Sequence, residues 1–147
     1  MLDTQTQRLL QEIIRREGQS FLLYTHDSFP WTQSEGEPAL ERLQRLIAAE
    51  RAALTALGRY LLRQKVPLPF LGSYPMNFTS FNFQSLDYLL PKLIDAEKHL
   101  LADLERDLAS VPDAGARTEL TKLAELKRQH LAELSALTSA KLQPAGV

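Results

Sequence analysis

The chain contains no cysteine, which excludes a disulfide framework and any thiolate metal site. Charge of one sign is also lacking: 17 basic and 18 acidic residues leave a formal charge of −1. Without a basic patch or tail, nucleic acid is not an expected partner, and without an acidic tail neither is a strongly cationic one. No apolar run approaches the roughly 20 residues needed to cross a bilayer, so no membrane span is expected. The opening MLDTQTQRLL has no cationic segment followed by an apolar core, as a secretory signal would. These absences lead to the expectation of a soluble, cytoplasmic protein. With 147 residues, the chain suits a single domain, residues 1–147, large enough to bury a real core.

What is present is leucine at helical spacing. Leu9, Leu10, Ile13, Ile14, Phe21 and Tyr24 form one amphipathic stripe, with Asp3 or Thr4 as N-cap and Glu12 and Arg16 as an exposed i,i+4 pair. Asp27 to Gly36 reads as a loop, after which Pro38 suits the first turn of a second helix. That helix carries Leu40, Leu43, Ile47, Leu54, Leu57 and Leu61. A third carries Leu89, Leu90, Leu93, Leu100, Leu101, Leu104 and Leu108, with Pro91 expected to kink it or detach a leading turn. The segment around Val111 to Gly115 is a tight connection. A fourth helix turns Leu120, Leu123, Leu131, Leu134 and Leu137 inward and Arg117, Lys122, Arg128 and Glu133 outward. The predicted helices span residues 4–26, 38–65, 85–110 and 114–141, and residues 143–147 read as a frayed tail.

Residues 66–84 differ from the rest. Pro67, Pro69 and Pro75 argue against a continuous helix, while Phe70, Phe78, Phe81 and Phe83 argue against disorder. At about 3.3 Å per extended residue, such a segment can run the length of a bundle. The expectation is an ordered crossover between helices two and three, pinned by its aromatics. The fold class is therefore all-α, a four-helix bundle with one long connection.

Each helix interrupts its apolar stripe with a polar group. Glu17 shares a face with Ile13 and Ile14, Glu50 with Ile47 and Leu54, and Glu97 with Leu93 and Leu100. Lys127 stands between Leu123 and Leu131, and His130 four residues before Leu134. In an antiparallel hairpin, residues equidistant from the turn lie level. The midpoint of Glu17 and Glu50 falls in the first loop, and that of Glu97 with Lys127 and His130 falls in the second. Each hairpin brings its own polar residues level, whereas the relative height of the two hairpins depends on the crossover. His26 and His99 fall off these faces and read as surface histidines. Tyr24, Tyr60 and Tyr88 read as core or interface aromatics. No glycine-rich phosphate loop, nucleophile elbow or Ser/His/Asp arrangement is visible.

With these positions in place, the chain resembles the ferritin-like superfamily, in particular its compact rubrerythrin-type members. There, helices one and three each give a Glu, and helices two and four each give a Glu-x-x-His pair, with two metals between them. The resemblance makes Glu17 and Glu97 the carboxylates of the first and third helices. Glu50 takes the second-helix carboxylate position, but Ala53 stands where the histidine belongs. On helix four His130 keeps the imidazole and Lys127 replaces the glutamate. An ammonium has donors only and cannot bridge metals. The implied function is a non-catalytic structural or interaction module, acting as a homodimer or with a protein partner. In it a degenerate di-iron site is replaced by a buried network of Glu17, Glu50, Glu97, Lys127 and His130, without cofactor. The alternative is an oxidase or peroxidase holding iron or manganese on Glu17, Glu50, Glu97 and His130. A third reading, a carrier of a small apolar ligand, draws only on the aromatic crossover.

Overall fold

The computed structural model describes residues 1–142, with side chains through residue 138. The expected frayed tail, residues 143–147, lies outside the described residues. Five α-helices follow in order: α1 (Thr4–Gly18), α2 (Phe21–Thr25), α3 (Glu37–Arg63), α4 (Leu86–Ser110) and α5 (Ala114–Leu142). Two short 3-10 turns, Ser34–Gly36 and Met76–Phe81, lie in the connections. The fold is all-helical among the described residues, and no helix is long and apolar enough to cross a membrane.

The predicted first helix, residues 4–26, is two helices. Ser20 takes an extended backbone conformation and its hydroxyl accepts from the Leu23 N–H at 3.1 Å, capping α2. A side chain that satisfies an otherwise orphaned N–H favours starting a new helix over continuing the old one. Asp3 caps α1, its carboxylate accepting from the Thr6 N–H at 2.7 Å. The Glu12–Arg16 pair does not form. Arg16 instead reaches across the bundle to Asp107 at 2.7 Å, both half-buried, and Glu12 lies 3.7 Å from Arg15.

Pro91 neither ends α4 nor detaches its first turn. The helix runs through it, started by the Ser85 hydroxyl on the Tyr88 N–H. The turn into α5 is closed by Asp113, which accepts from the Ala116 N–H at 2.9 Å. Arg117 donates to the Leu108 and Val111 carbonyls, both at 3.0 Å, satisfying the exposed end of α4.

Only part of the crossover is pinned by aromatics. Phe78 and Phe81 pack on Phe21 with ring centroids 5.3 and 4.7 Å away, but Phe70 and Phe83 are exposed. Phe83 stacks on exposed Phe29 instead. Hydrogen bonds from side chains and backbone add further attachment. Leu86 N–H donates to the Trp31 carbonyl at 2.8 Å and Phe83 N–H to the Ser28 carbonyl at 2.8 Å, tying the crossover's end to the first loop. Tyr24 is half-buried and donates to Asn82 at 2.5 Å, Tyr60 is buried, and Tyr88 is exposed rather than in the core.

Two apolar cores fill the bundle. One gathers Leu10, Ile13, Leu57, Leu61, Leu104, Leu120 and Leu123. The other gathers Phe21, Leu22, Leu43, Ile47, Leu90, Leu93, Leu134 and Leu137. On α3, α4 and α5 the buried charged residues Glu50, Glu97 and Lys127 lie between these two sets, and on α1 Glu17 follows the first set.

A candidate functional site in the layer between two cores

Glu17 enters this layer from α1, Glu50 from α3, Glu97 from α4, and Lys127 and His130 from α5. All five are buried, and Lys127 is fully so, at 0% exposure. The structure brings all five together. The Lys127 ammonium donates to Glu17 Oε2 at 2.8 Å and Glu50 Oε1 at 3.0 Å, and lies 3.0 Å from Glu97 Oε2. His130 Nδ1 is 2.8 Å from Glu50 Oε2. Lys127 therefore links both hairpins, α1–α3 and α4–α5, so the crossover sets them at one height.

The charges do not balance if every carboxyl is ionised. Three carboxylates against one ammonium and one imidazole leave a buried negative excess, which low-dielectric surroundings penalise heavily. Hydrogen bonding shows where the excess is relieved. Treated as a carboxylate, Glu97 has no aligned donor on either oxygen, its contact with Lys127 being electrostatic only. Treated as an acid, it hydrogen-bonds to Glu50. The protonated form is the one that satisfies its geometry. Burial, and then the neighbouring Glu50 charge, push the Glu97 carboxyl up to about 8 against the pull of Lys127.

Glu50 moves the other way. Burial would raise its pKa, but the His130 hydrogen bond and the Lys127 charge outweigh burial and hold it at about 2. Glu17 is raised by burial, with Lys127 offsetting part of the effect. Its Oε1 is buried without a partner. Burial alone would lower Lys127, but the charges of Glu17, Glu50 and Glu97 more than reverse it and hold the ammonium firmly charged.

As it stands, this donor set does not fit a di-metal centre. The point on which three carboxylates converge is occupied by Lys127 Nζ, a cation with donors only. Ala53 contributes no ligand atom, and the Nδ1 of His130 is committed to Glu50. Among the described residues, no group of three or more His, Asp or Glu side chains is placed to hold a metal ion. What the layer can do is hold one internal cation and at least one proton. His26 and His99 lie outside it, exposed, with Nδ1 atoms on Gln44 Oε1 (3.1 Å) and the Asp95 carbonyl (2.8 Å).

Missing from the sequence reading was the Arg16–Asp107 bridge, which lies just outside the layer. No local signal joins residues 91 positions apart. No family model, curated protein or solved structure matches this chain.

Proposed function

We propose that this protein is a ferritin-like bundle in which the lysine ammonium stands in for a metal pair, and that it is a non-catalytic structural or interaction module. The observation that carries the reading is Lys127 Nζ, fully buried and 2.8–3.0 Å from carboxylates on three other helices. Further support comes from the helix order, with the long connection between α3 and α4, and from the convergence of one carboxylate each from α1, α3 and α4. A buried ion network adds little net stability over an apolar layer, because desolvation offsets most of the attraction. Its value is specificity, since only one alignment of four helices places three acids around one amine. The module then acts through its surface, as a homodimer or on a protein partner, which light scattering on the purified protein distinguishes.

Elemental analysis of protein purified without chelator tests the reading, with no stoichiometric iron or manganese expected. Stoichiometric metal, lost in Glu50→Ala, would replace it with the metalloenzyme reading built on Glu17, Glu50, Glu97 and His130. The double variant Ala53→His/Lys127→Glu rebuilds the missing ligands and is expected to gain iron or manganese binding. A folded double variant that takes up neither metal would refute the ferritin-like alignment.

A further inference from the structure

A cleft of about 640 Å³ lies between α1, α3 and the crossover, and none of the five polar-layer residues lines it. That volume is in the range of small-molecule sites, roughly 300–1,000 Å³. Its outer wall is the crossover around residues 67–74. Pro67 and Pro69 bring no N–H groups needing partners, Gly72 turns the chain at φ +71°, and Gln19 donates to the Leu71 and Ser73 carbonyls. Two glycines shape the floor. A Cβ on Gly18 would sit 3.1 Å from Leu71, close enough that the Leu71 side chain would have to give, whereas one on Gly58 would meet Leu68 at an ordinary contact distance of 3.4 Å.

The lining is mostly apolar, yet several of its members remain in water. Leu62 is 55% exposed, Leu68 49% and Leu71 39%. Adjacent exposed leucines along one groove are an uncovered apolar surface. The charges around them are unequal, with Arg51 and Arg59 against Asp27. Arg51 lies against the Tyr74 hydroxyl, where Asp27 also exerts its charge. Arg59 makes no ion pair, hydrogen bond or ring contact among the described residues. It sits eight residues from Arg51 on the same face of α3, about 12 Å along the axis. The cleft thus has an apolar length, one end whose charges compensate each other, and one end with an unopposed guanidinium.

We infer that this cleft binds a small single-chain amphipathic anion. The apolar tail lies along Leu54, Leu68 and Leu71, and the carboxylate is received by Arg59. A guanidinium presents paired donors that match a carboxylate's two oxygens. Dodecanoate titrated calorimetrically into the full chain tests this, with dodecanol and dodecyltrimethylammonium as headgroup controls. The expected result is one dodecanoate per chain, with at least tenfold weaker binding of both controls. Arg59→Gln is expected to weaken dodecanoate at least tenfold. Thr55→Trp, at an exposed position lining the cleft, is expected to abolish binding, with circular dichroism confirming that both variants fold. Absence of binding, equal affinity for dodecanol, or undiminished binding by either folded variant overturns the inference. So does co-sedimentation with anionic phospholipid vesicles, which would make the face a membrane surface rather than a site for a free molecule.

Discussion

The polar layer and the leucine layers flanking it are all buried, and α3, α4 and α5 run through all of them, yet they respond to damage by different physics. In a leucine layer each side chain contributes its own transfer free energy, and losing one leaves a cavity whose cost is local. In the polar layer one ammonium compensates two carboxylates and lies against a third acid, so its loss leaves other groups in the wrong state for their surroundings. Stability in the first is nearly a sum of parts. In the second it is a property of the set, and it depends on pH.

The sharpest way to break that comparison is Lys127→Met. Chemical denaturation at pH 7 is expected to show a loss on the order of 3–5 kcal/mol, because the carboxylates of Glu17 and Glu50 lose their cation. The loss is expected to shrink toward pH 4, where the acids protonate and no longer need it. A variant that melts like the parent at pH 7 would mean that the buried ion network carries no stability. Leu93→Ala, fully buried in the adjoining leucine layer, is expected to cost about 2–5 kcal/mol. Its cost should be the same at both pH values, and a pH-dependent loss there would erase the distinction between layers.

A smaller effect isolates the proton. Glu97 is raised from 4.5 to about 8, so between these values the folded state holds a proton that the unfolded state has released. Its contribution to stability is therefore greatest below pH 4.5 and falls as pH rises toward 8, with a slope of at most about 1.4 kcal/mol per pH unit. Glu97→Gln, neutral at every pH, is expected to lie within about 1 kcal/mol of the parent at pH 7 and to remove that slope. Parallel stability–pH curves for the two proteins would place the proton elsewhere. Glu50, held low, contributes in the opposite sense: its stabilisation is present above 4.5 and is lost only as pH falls toward 2. The smallest effect concerns the break between α1 and α2. Ser20→Ala removes the cap on α2 and is expected to cost about 1 kcal/mol, read from the denaturation midpoint.

The five polar positions were legible because each stands where a leucine ladder calls for another leucine, and periodicity of 3.6 places them inward without any knowledge of partners. Lys127 was legible as an anomaly for the same reason. The common height of the two hairpins was not, since it depends on how the crossover is laid down, and bonds that fix its end are to backbone carbonyls of Ser28 and Trp31. The split of the first helix carried a signal, Ser20 following Gly18, but the continuous apolar stripe through Phe21 and Tyr24 outweighed it. The positions of Phe70 and Phe83 carried none. An aromatic in a loop reads the same whether it anchors the loop or stands in water. The cleft is likewise invisible in sequence, because it is a space left by the path of Pro67 to Tyr74 rather than a motif.

The distribution of the polar layer between the hairpins has one more consequence. The α1–α3 half brings two acids and no base, whereas the α4–α5 half brings the amine. Cut within the exposed stretch around Phe70, the two fragments would still carry complementary labels. Sliding one past the other by a helical turn, about 5.4 Å, would press leucine side chains onto Glu17 and Glu50. Reassembly from separate pieces would thereby favour the docking position that returns Lys127 to Glu17 and Glu50, and a half bringing a methionine for the amine would dock more weakly.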